Sequence, residues 1–131
     1  NVISYITIAS AGNATDFGDL SASARGQTGT SSPTRALFAG GDNPGKLDVI
    51  EYVTIATTGD VTDFGNLTAG TTAPEGASNK VKGIFAGGND GSVTNTINDV
   101  TIASTGNATD YGDLTVARSH HGGSSNGHGG L

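Results

Sequence analysis

Tyr52-Val53-Thr54-Ile55-Ala56, followed after five residues by Thr62-Asp63-Phe64-Gly65, decides the fold, because both phrases recur at a fixed distance. The step between copies is 47 residues each time. The first phrase recurs as Tyr5-Ile6-Thr7-Ile8-Ala9 and Asp99-Val100-Thr101-Ile102-Ala103. The second phrase recurs as Thr15-Asp16-Phe17-Gly18 and Thr109-Asp110-Tyr111-Gly112. Three copies in one register establish an internal repeat, and a step of this length occurs in propeller blades and in the longer helical repeats.

Short apolar runs favour strands over helices in every copy. No stretch carries apolar residues at the i, i+3, i+4, i+7 spacing of a helix over three turns. The runs are rich in β-branched residues and are bounded by Gly, Asn, Asp, Ser and Thr. The second copy predicts four strands, over residues 77–81, 83–87, 50–56 and 61–67. The predicted fold class is therefore all-β, built from four-stranded antiparallel units.

The strands are apolar on both faces. Leu37-Phe38-Ala39 and Ile84-Phe85-Ala86 place apolar residues at consecutive positions, and consecutive side chains of a strand point to opposite faces. A sheet with one face in water would alternate instead. Blades stacked side by side have this environment, so the pattern predicts a β-propeller. The residues predicted to be buried are Leu37, Phe38, Val53, Ile55, Ile84, Phe85 and Ile102.

Paired glycines and a tyrosine carry a family resemblance. Gly40-Gly41 and Gly87-Gly88 match the double glycine of kelch-type β-propeller repeats, and Tyr5 and Tyr52 match the kelch tyrosine. The third copy has Asp99 at the tyrosine position. The chain thus resembles kelch-type propellers, and its repeated phrase is similar to kelch-like repeats in virion proteins of tailed bacteriophages.

One kelch feature is absent from all three copies. The chain contains no tryptophan. The resemblance places Phe17, Phe64 and Tyr111 at the position of the kelch tryptophan. The resemblance covers the whole chain and implies a propeller fold, but kelch propellers bind unrelated partners, so it implies no particular ligand.

The number of copies bears on how a ring would close. The 131 residues hold about 2.8 copies, over residues 1–47, 48–94 and 95–131 of one kelch-like repeat domain. A propeller ring needs at least four blades. We therefore expect either further repeats in the same chain or a homo-oligomer, with an open stack as the third option. In a ring, the blade at the seam would combine residues 1–19 with residues 116–131.

Charge and composition exclude several classes of function. The formal net charge is −6, whereas nucleic-acid surfaces need clustered Lys and Arg. The chain has no cysteine, so disulfides and thiolate catalysis are excluded. No run approaches 18 apolar residues and no signal peptide is visible, so we expect no contact with a membrane.

Two motifs that suggest metal chemistry favour structural roles. The recurring Asp-Phe/Tyr-Gly tripeptide is the magnesium motif of protein kinases, but no other kinase motif accompanies it. We expect Asp16, Asp63 and Asp110 to fix turns through side-chain to backbone hydrogen bonds. The three histidines, at positions 120, 121 and 128, lie in a Gly/Ser-rich stretch and are expected to form a small polar wall with no metal.

The loops after the double glycines are the candidate binding site. Asp42, Asn43, Asn89 and Asp90 lie in these loops. Their oxygens could hold calcium, but the spacing does not match an EF-hand, and turn formation is the simpler role. Binding residues concentrate on loops, so these four are the first choice for partner contacts. No nucleophile elbow or triad spacing occurs, so we expect no catalytic residue, no cofactor and no metal.

The expected function is structural or adhesive and non-enzymatic. The chain would belong to a virion appendage, a tail fibre or head decoration, and would present rim loops to other virion proteins or to a host surface glycan. Its place would be the virion, outside the cell. The alternative is a lectin-like or enzymatic propeller domain of a secreted bacterial protein, and fold alone does not choose between the two.

Overall fold

The computed structural model describes residues 1–125 and confirms the all-β prediction, since this part of the chain contains strands and no helix. No helix capable of crossing a membrane occurs among these residues. The strands are β1 (Val2–Tyr5), β2 (Thr15–Asp19), β3 (Thr28–Ser31), β4 (Arg35–Ala39), β5 (Val49–Thr54), β6 (Thr62–Asn66), β7 (Glu75–Ser78), β8 (Lys82–Ala86), β9 (Thr96–Thr101) and β10 (Thr109–Asp113).

The strands form three antiparallel sheets in which chain order equals spatial order. Sheet 1 contains β1 and β2, sheet 2 contains β3 to β6, and sheet 3 contains β7 to β10. Sheet 2 begins in the first sequence copy and ends in the second, and sheet 3 is its equivalent 47 residues later. The chain passes from one sheet to the next through residues 20–27 and 67–74. We call the end of the sheets that holds these two segments the crossover end.

Three of the four strands predicted for the second copy lie where expected, and one is displaced. The prediction of 77–81 is wrong for β7, which occupies Glu75–Ser78. The Asn79 side chain accepts hydrogen bonds from the backbone N–H groups of Val81, at 2.8 Å, and Lys82, at 2.7 Å. This cap ends the strand early and leaves Val81 in an exposed turn.

The main core lies between sheets 2 and 3. Leu37, Ile50 and Phe64 of sheet 2 pack in one buried cluster with Phe85 and Ile102 of sheet 3. Burial of apolar surface is the main driving force of folding, so this contact contributes much of the stability. Burial is confirmed for Leu37, Val53, Phe85 and Ile102, whereas Phe38 and Ile84 are half-buried.

The burial predicted for Ile55 is wrong, because its side chain is 44% exposed. Its equivalent in the next copy, Ile102, is 1% exposed and contacts sheet 2, where the Arg35 guanidinium donates a hydrogen bond to its carbonyl at 2.9 Å. Ile55 lies on the side of sheet 2 that faces sheet 1, and sheet 1 has two strands and lacks counterparts of β3 and β4. Burial at this repeat position therefore depends on a complete neighbouring sheet.

The Asp-Phe/Tyr-Gly motif lies within the outer strands β2, β6 and β10, and not in turns as predicted. The predicted side-chain to backbone hydrogen bond occurs at Asp110, whose Oδ1 accepts from the Gly112 N–H at 2.9 Å. In β6, Gly65 pairs with Ile50 and Asp63 pairs with Glu51, so Phe64 lies in a β-bulge without a partner. The same register shift occurs in the other two sheets. Bulges bend a strand and redirect a side chain. The motif is therefore a bulge signal that directs the Phe64 ring into the core.

Short segments of the second and third copies bind the outer strand of the preceding sheet. The backbone N–H groups of Gly59 and Val61 donate to the carbonyls of Phe17, at 2.7 Å, and Asp19, at 3.0 Å, while Asp60 Oδ1 accepts from the Asp19 N–H at 3.0 Å. Residues 106–108 make the same three contacts with β6. We call residues 12–14, 59–61 and 106–108 the edge segments.

The first strands of sheets 2 and 3 lie against each other. A Cβ on Gly76 of β7 would overlap the carbonyl oxygen of Gly29 in β3. Near the other end of the same strands, the Ser78 hydroxyl donates to the Ser31 carbonyl at 2.6 Å. Glycine at position 76 therefore permits an approach between strands that any side chain would prevent.

Equivalent positions in sheets 2 and 3 hold different polar pairs. In sheet 2, the Arg35 guanidinium lies 4.4 Å from the centre of the Tyr52 ring, a cation–π contact. In sheet 3, Lys82 forms an ion pair with the buried carboxylate of Asp99, which also accepts from the Thr109 hydroxyl at 2.6 Å. The Lys82 ammonium and the Thr109 hydroxyl hold the pKa of Asp99 below its ordinary value, and the bond to Asp99 raises the pKa of Lys82.

Candidate functional site

The four candidate binding residues lie at the crossover end, in the connection after β4 and in the connection after β8. Both connections begin with the paired glycines. Gly40 and Gly87 have φ values of +70° and +64°, in the left-handed region that favours glycine. The Gly41 N–H donates to Thr71 O, after β6, at 2.9 Å, and the Gly88 N–H donates to Arg118 O, after β10, at 2.8 Å. The double glycine thus joins each loop to the segment that follows the last strand of its sheet.

Asp42 and Asn43 line an open cleft that the crossover to sheet 2 completes. Asp42 and Arg25 exchange two backbone hydrogen bonds, of 2.9 and 3.3 Å, and their side chains form an ion pair at 3.7 Å. The cleft has a volume of about 420 Å³. Its lining residues are Ser23, Ala24, Arg25, Asp42, Asn43 and Pro44.

The chemistry of this cleft is polar and of mixed charge. The Arg25 side chain is 86% exposed, whereas the Asp42 side chain is 23% exposed. An exposed ion pair contributes little to stability, so the guanidinium can leave Asp42 at small cost. A guanidinium offers five N–H donors, and the Asn43 amide adds both donors and an acceptor. The cleft can therefore hydrogen-bond hydroxyl and carboxylate groups.

The second loop keeps the backbone of the first and replaces its side chains. Thr72 and Asn89 exchange the same pair of backbone hydrogen bonds, at 3.0 and 2.8 Å. Asn89 Oδ1 accepts from the Gly91 N–H at 3.1 Å, and Asp90 Oδ1 accepts from the Ser92 N–H at 3.4 Å. These two side chains therefore form the turn itself, and neither lines the cleft that contains Asp42.

Metal chemistry finds no support at either loop. Residues 1–125 contain no group of three or more His, Asp or Glu side chains placed to hold a metal ion. His120 Nδ1 lies 3.2 Å from the Ser119 hydroxyl, and His121 Nδ1 is buried without a hydrogen-bond partner. His128 lies outside the described residues.

The predicted set lacked Arg25. It lies directly opposite Asp42 when the antiparallel register of β3 and β4 is continued beyond their ends. The same continuation of β7 and β8 joins Thr72 to Asn89. Arg25 could therefore be identified from the register of the β3–β4 hairpin, but only once the bounds of β3 were known.

Comparison with known proteins adds no assignment to this geometry. The chain matches no protein-family model and no curated protein. The resemblance to kelch-type repeats and to phage virion proteins therefore stays a prediction that rests on the residues quoted above.

Proposed function

We propose that this chain forms part of a closed, kelch-like β-propeller that serves a virion appendage as a non-enzymatic adhesive or structural component. Its ligand is another virion protein or a host surface glycan, bound at the crossover end. The propeller arrangement is supported by sheets of four sequentially ordered strands whose first strands, β3 and β7, lie side by side. The virion setting is supported by the resemblance of the repeated phrase to phage virion repeats.

One observation carries the binding role, namely that the two loops share a backbone and differ in side chains. Each connection has the paired glycines and the backbone bridge to its crossover. The side chains at the bridge are Arg25 and Asp42 in the first loop and Thr72 and Asn89 in the second. Variable side chains on a fixed scaffold are the usual arrangement of a binding surface.

The lining of the cleft favours binding over glycoside hydrolysis. Hydrolysis of glycosides ordinarily uses two carboxyl groups on opposite sides of the bond that breaks. The lining residues include one carboxylate, that of Asp42, which is engaged with Arg25. Exposed donors beside an acceptor suit the hydroxyl and carboxylate groups of an acidic glycan or of a protein loop.

The test is a binding measurement with variants of matched charge. The labelled protein is titrated with polysaccharide isolated from bacterial host surfaces and with purified virion proteins. Arg25→Ala combined with Asn43→Ala removes the cleft's donors, and we expect the Kd to rise at least about tenfold, which is about 1.4 kcal/mol. Lys80→Ala removes the same charge in the exposed turn before β8, at the opposite end of the sheets, and should leave the Kd unchanged. Equal binding by both variants would refute the cleft as the site.

A further inference from the structure

The ion pair between Arg25 and Asp42 is looser than the contacts of two other cationic side chains. Its N–O distance of 3.7 Å exceeds the length of a hydrogen bond, so the two charges attract each other without a direct hydrogen bond. By contrast, Arg35 donates a hydrogen bond to a carbonyl of the next sheet at 2.9 Å, and Lys82 donates one to the Asp99 carboxylate. Asp42 therefore offsets the charge of Arg25 but leaves open the N–H donors that face it.

The backbone at this position does not depend on the ion pair. Arg25 and Asp42 exchange two backbone hydrogen bonds, of 3.3 and 2.9 Å. The equivalent residues of the next copy, Thr72 and Asn89, form the same backbone bridge at 3.0 and 2.8 Å and carry no charge. A ligand can therefore replace Asp42 at the guanidinium while the loop keeps its shape.

A carboxylate is the ligand group that suits the open donors best. A guanidinium binds a carboxylate through two parallel N–H···O bonds, which a contact of 3.7 Å does not provide. The Asn43 amide lines the same cleft and adds donors and an acceptor for hydroxyl groups. The lining residues, all within residues 1–125, include no aromatic side chain, whereas aromatic side chains are enriched among the residues that dominate protein–protein binding. These features favour an acidic sugar over an acidic protein loop.

Building on the proposed binding role of the cleft, we propose that it binds the carboxylate of an acidic sugar unit and that Asp42 is a built-in competitor for Arg25. The sugar carboxylate takes the guanidinium from Asp42, and Asn43 hydrogen-bonds a neighbouring hydroxyl. A neutral sugar does not displace Asp42, because it offers no charge in exchange. Asp42 also repels anions that do not form the two-bond contact, which makes the cleft selective.

Variants of matched charge isolate the competitor. Asp42→Asn removes the competing charge and introduces the residue that the next copy has there, Asn89, so the backbone bridge should persist. The Kd for an acidic sugar should fall about fivefold. The control Asp60→Asn makes the same change of charge between β5 and β6, where the equivalent Asn107 keeps the hydrogen bond, at 3.1 Å against 3.0 Å. Arg25→Lys keeps the charge but loses the two-bond geometry, and should raise the Kd about tenfold.

The measurement is titration calorimetry with three probes: oligomers of galacturonic acid, their neutral methyl esters, and oligoglutamate of matched charge. The unaltered chain and Asp60→Asn should bind the acidic oligomer at least about tenfold more tightly than the other two probes. Asp42→Asn should gain affinity for the acidic oligomer and none for its ester.

The outcomes separate this proposal from the binding role of the cleft. No binding of the acidic oligomer, or equal binding of the acid and its ester or of the acid and oligoglutamate, would overturn the assignment of an acidic sugar. An unchanged Kd in Asp42→Asn would overturn the competitor role. If Arg25→Ala with Asn43→Ala abolishes binding while Asp42→Asn gains nothing, the cleft remains the site and the competitor role alone fails.

Discussion

Four glycines separate the two reasons for which this chain needs glycine, a left-handed backbone and a lack of room for a Cβ. Gly87 has both, with a φ of +64° and the Arg118 carbonyl in the place of a Cβ. Gly91 has only the unusual φ, and Gly76 has only the close neighbour. Gly45 has neither. Alanine at each position therefore measures the two costs separately.

The expected costs follow from these environments. A backbone at the φ of Gly91 is nearly exclusive to glycine, so alanine there should cost about 1–3 kcal/mol. Alanine at position 76 must push β3 and β7 apart, which should cost about 1–3 kcal/mol. Gly87→Ala carries both costs and should lose about 2–6 kcal/mol. Gly45→Ala should stabilise the fold by about 0.4–1 kcal/mol, because alanine restricts the unfolded chain.

Urea unfolding followed by circular dichroism gives the order of the four variants. The midpoint should fall from Gly45→Ala through the unaltered chain to Gly91→Ala and Gly76→Ala, with Gly87→Ala lowest and the slope unchanged. If Gly76→Ala were as stable as the unaltered chain, the contact between β3 and β7 would be refuted. If Gly87→Ala cost no more than Gly91→Ala, the close approach of the Arg118 carbonyl to Gly87 would be refuted.

Four further substitutions test the core, the backbone and the buried ion pair. Phe85→Ala should cost about 3–5 kcal/mol and half-buried Phe38→Ala clearly less, and equal thermal shifts would contradict the core assignment. Ala73→Gly should stabilise the fold by roughly 1 kcal/mol in urea unfolding, because Ala73 has a φ of +53°, and a loss of stability would contradict that strain. The lowered pKa of Asp99 makes its contribution complete above about pH 3.9, and it is lost as pH falls through the folded pKa. Asp99→Asn should therefore flatten the acid limb of stability against pH, and an unchanged limb would contradict the ion pair with Lys82.

The number and order of the strands could be predicted because the repeat determines both. The burial of individual residues could not be predicted in this way. Ile55 and Ile102 occupy one repeat position and have the same side chain, yet they differ in exposure because their neighbouring sheets differ in completeness. The early end of β7 depends on the Asn79 cap, which draws Val81 into the turn. A periodic pattern describes an average copy and contains no information about what packs against a single copy.

Only part of the candidate site could be predicted, because its residues come from different connections of the chain. The loop positions of Asp42 and Asn43 follow from the double glycine that precedes them. The partner across the cleft, Arg25, comes from a different connection and is found only through the hairpin register. Asn89 and Asp90 share the composition of the first loop, but their side-chain oxygens bind backbone N–H groups of their own turn.

Arg35 and Tyr52 of sheet 2 occupy the same repeat positions as Lys82 and Asp99 of sheet 3. This difference bears on how such repeats diverge. A cation pairs either with an aromatic face or with a carboxylate, so both single-step intermediates, Arg with Asp and Lys with Tyr, keep a partner. The hydroxyl that supports Asp99 already exists in the other sheet, where Thr62 lies opposite Tyr52. Evolution can therefore pass between the two pairs by single substitutions without an unpaired charge at any step.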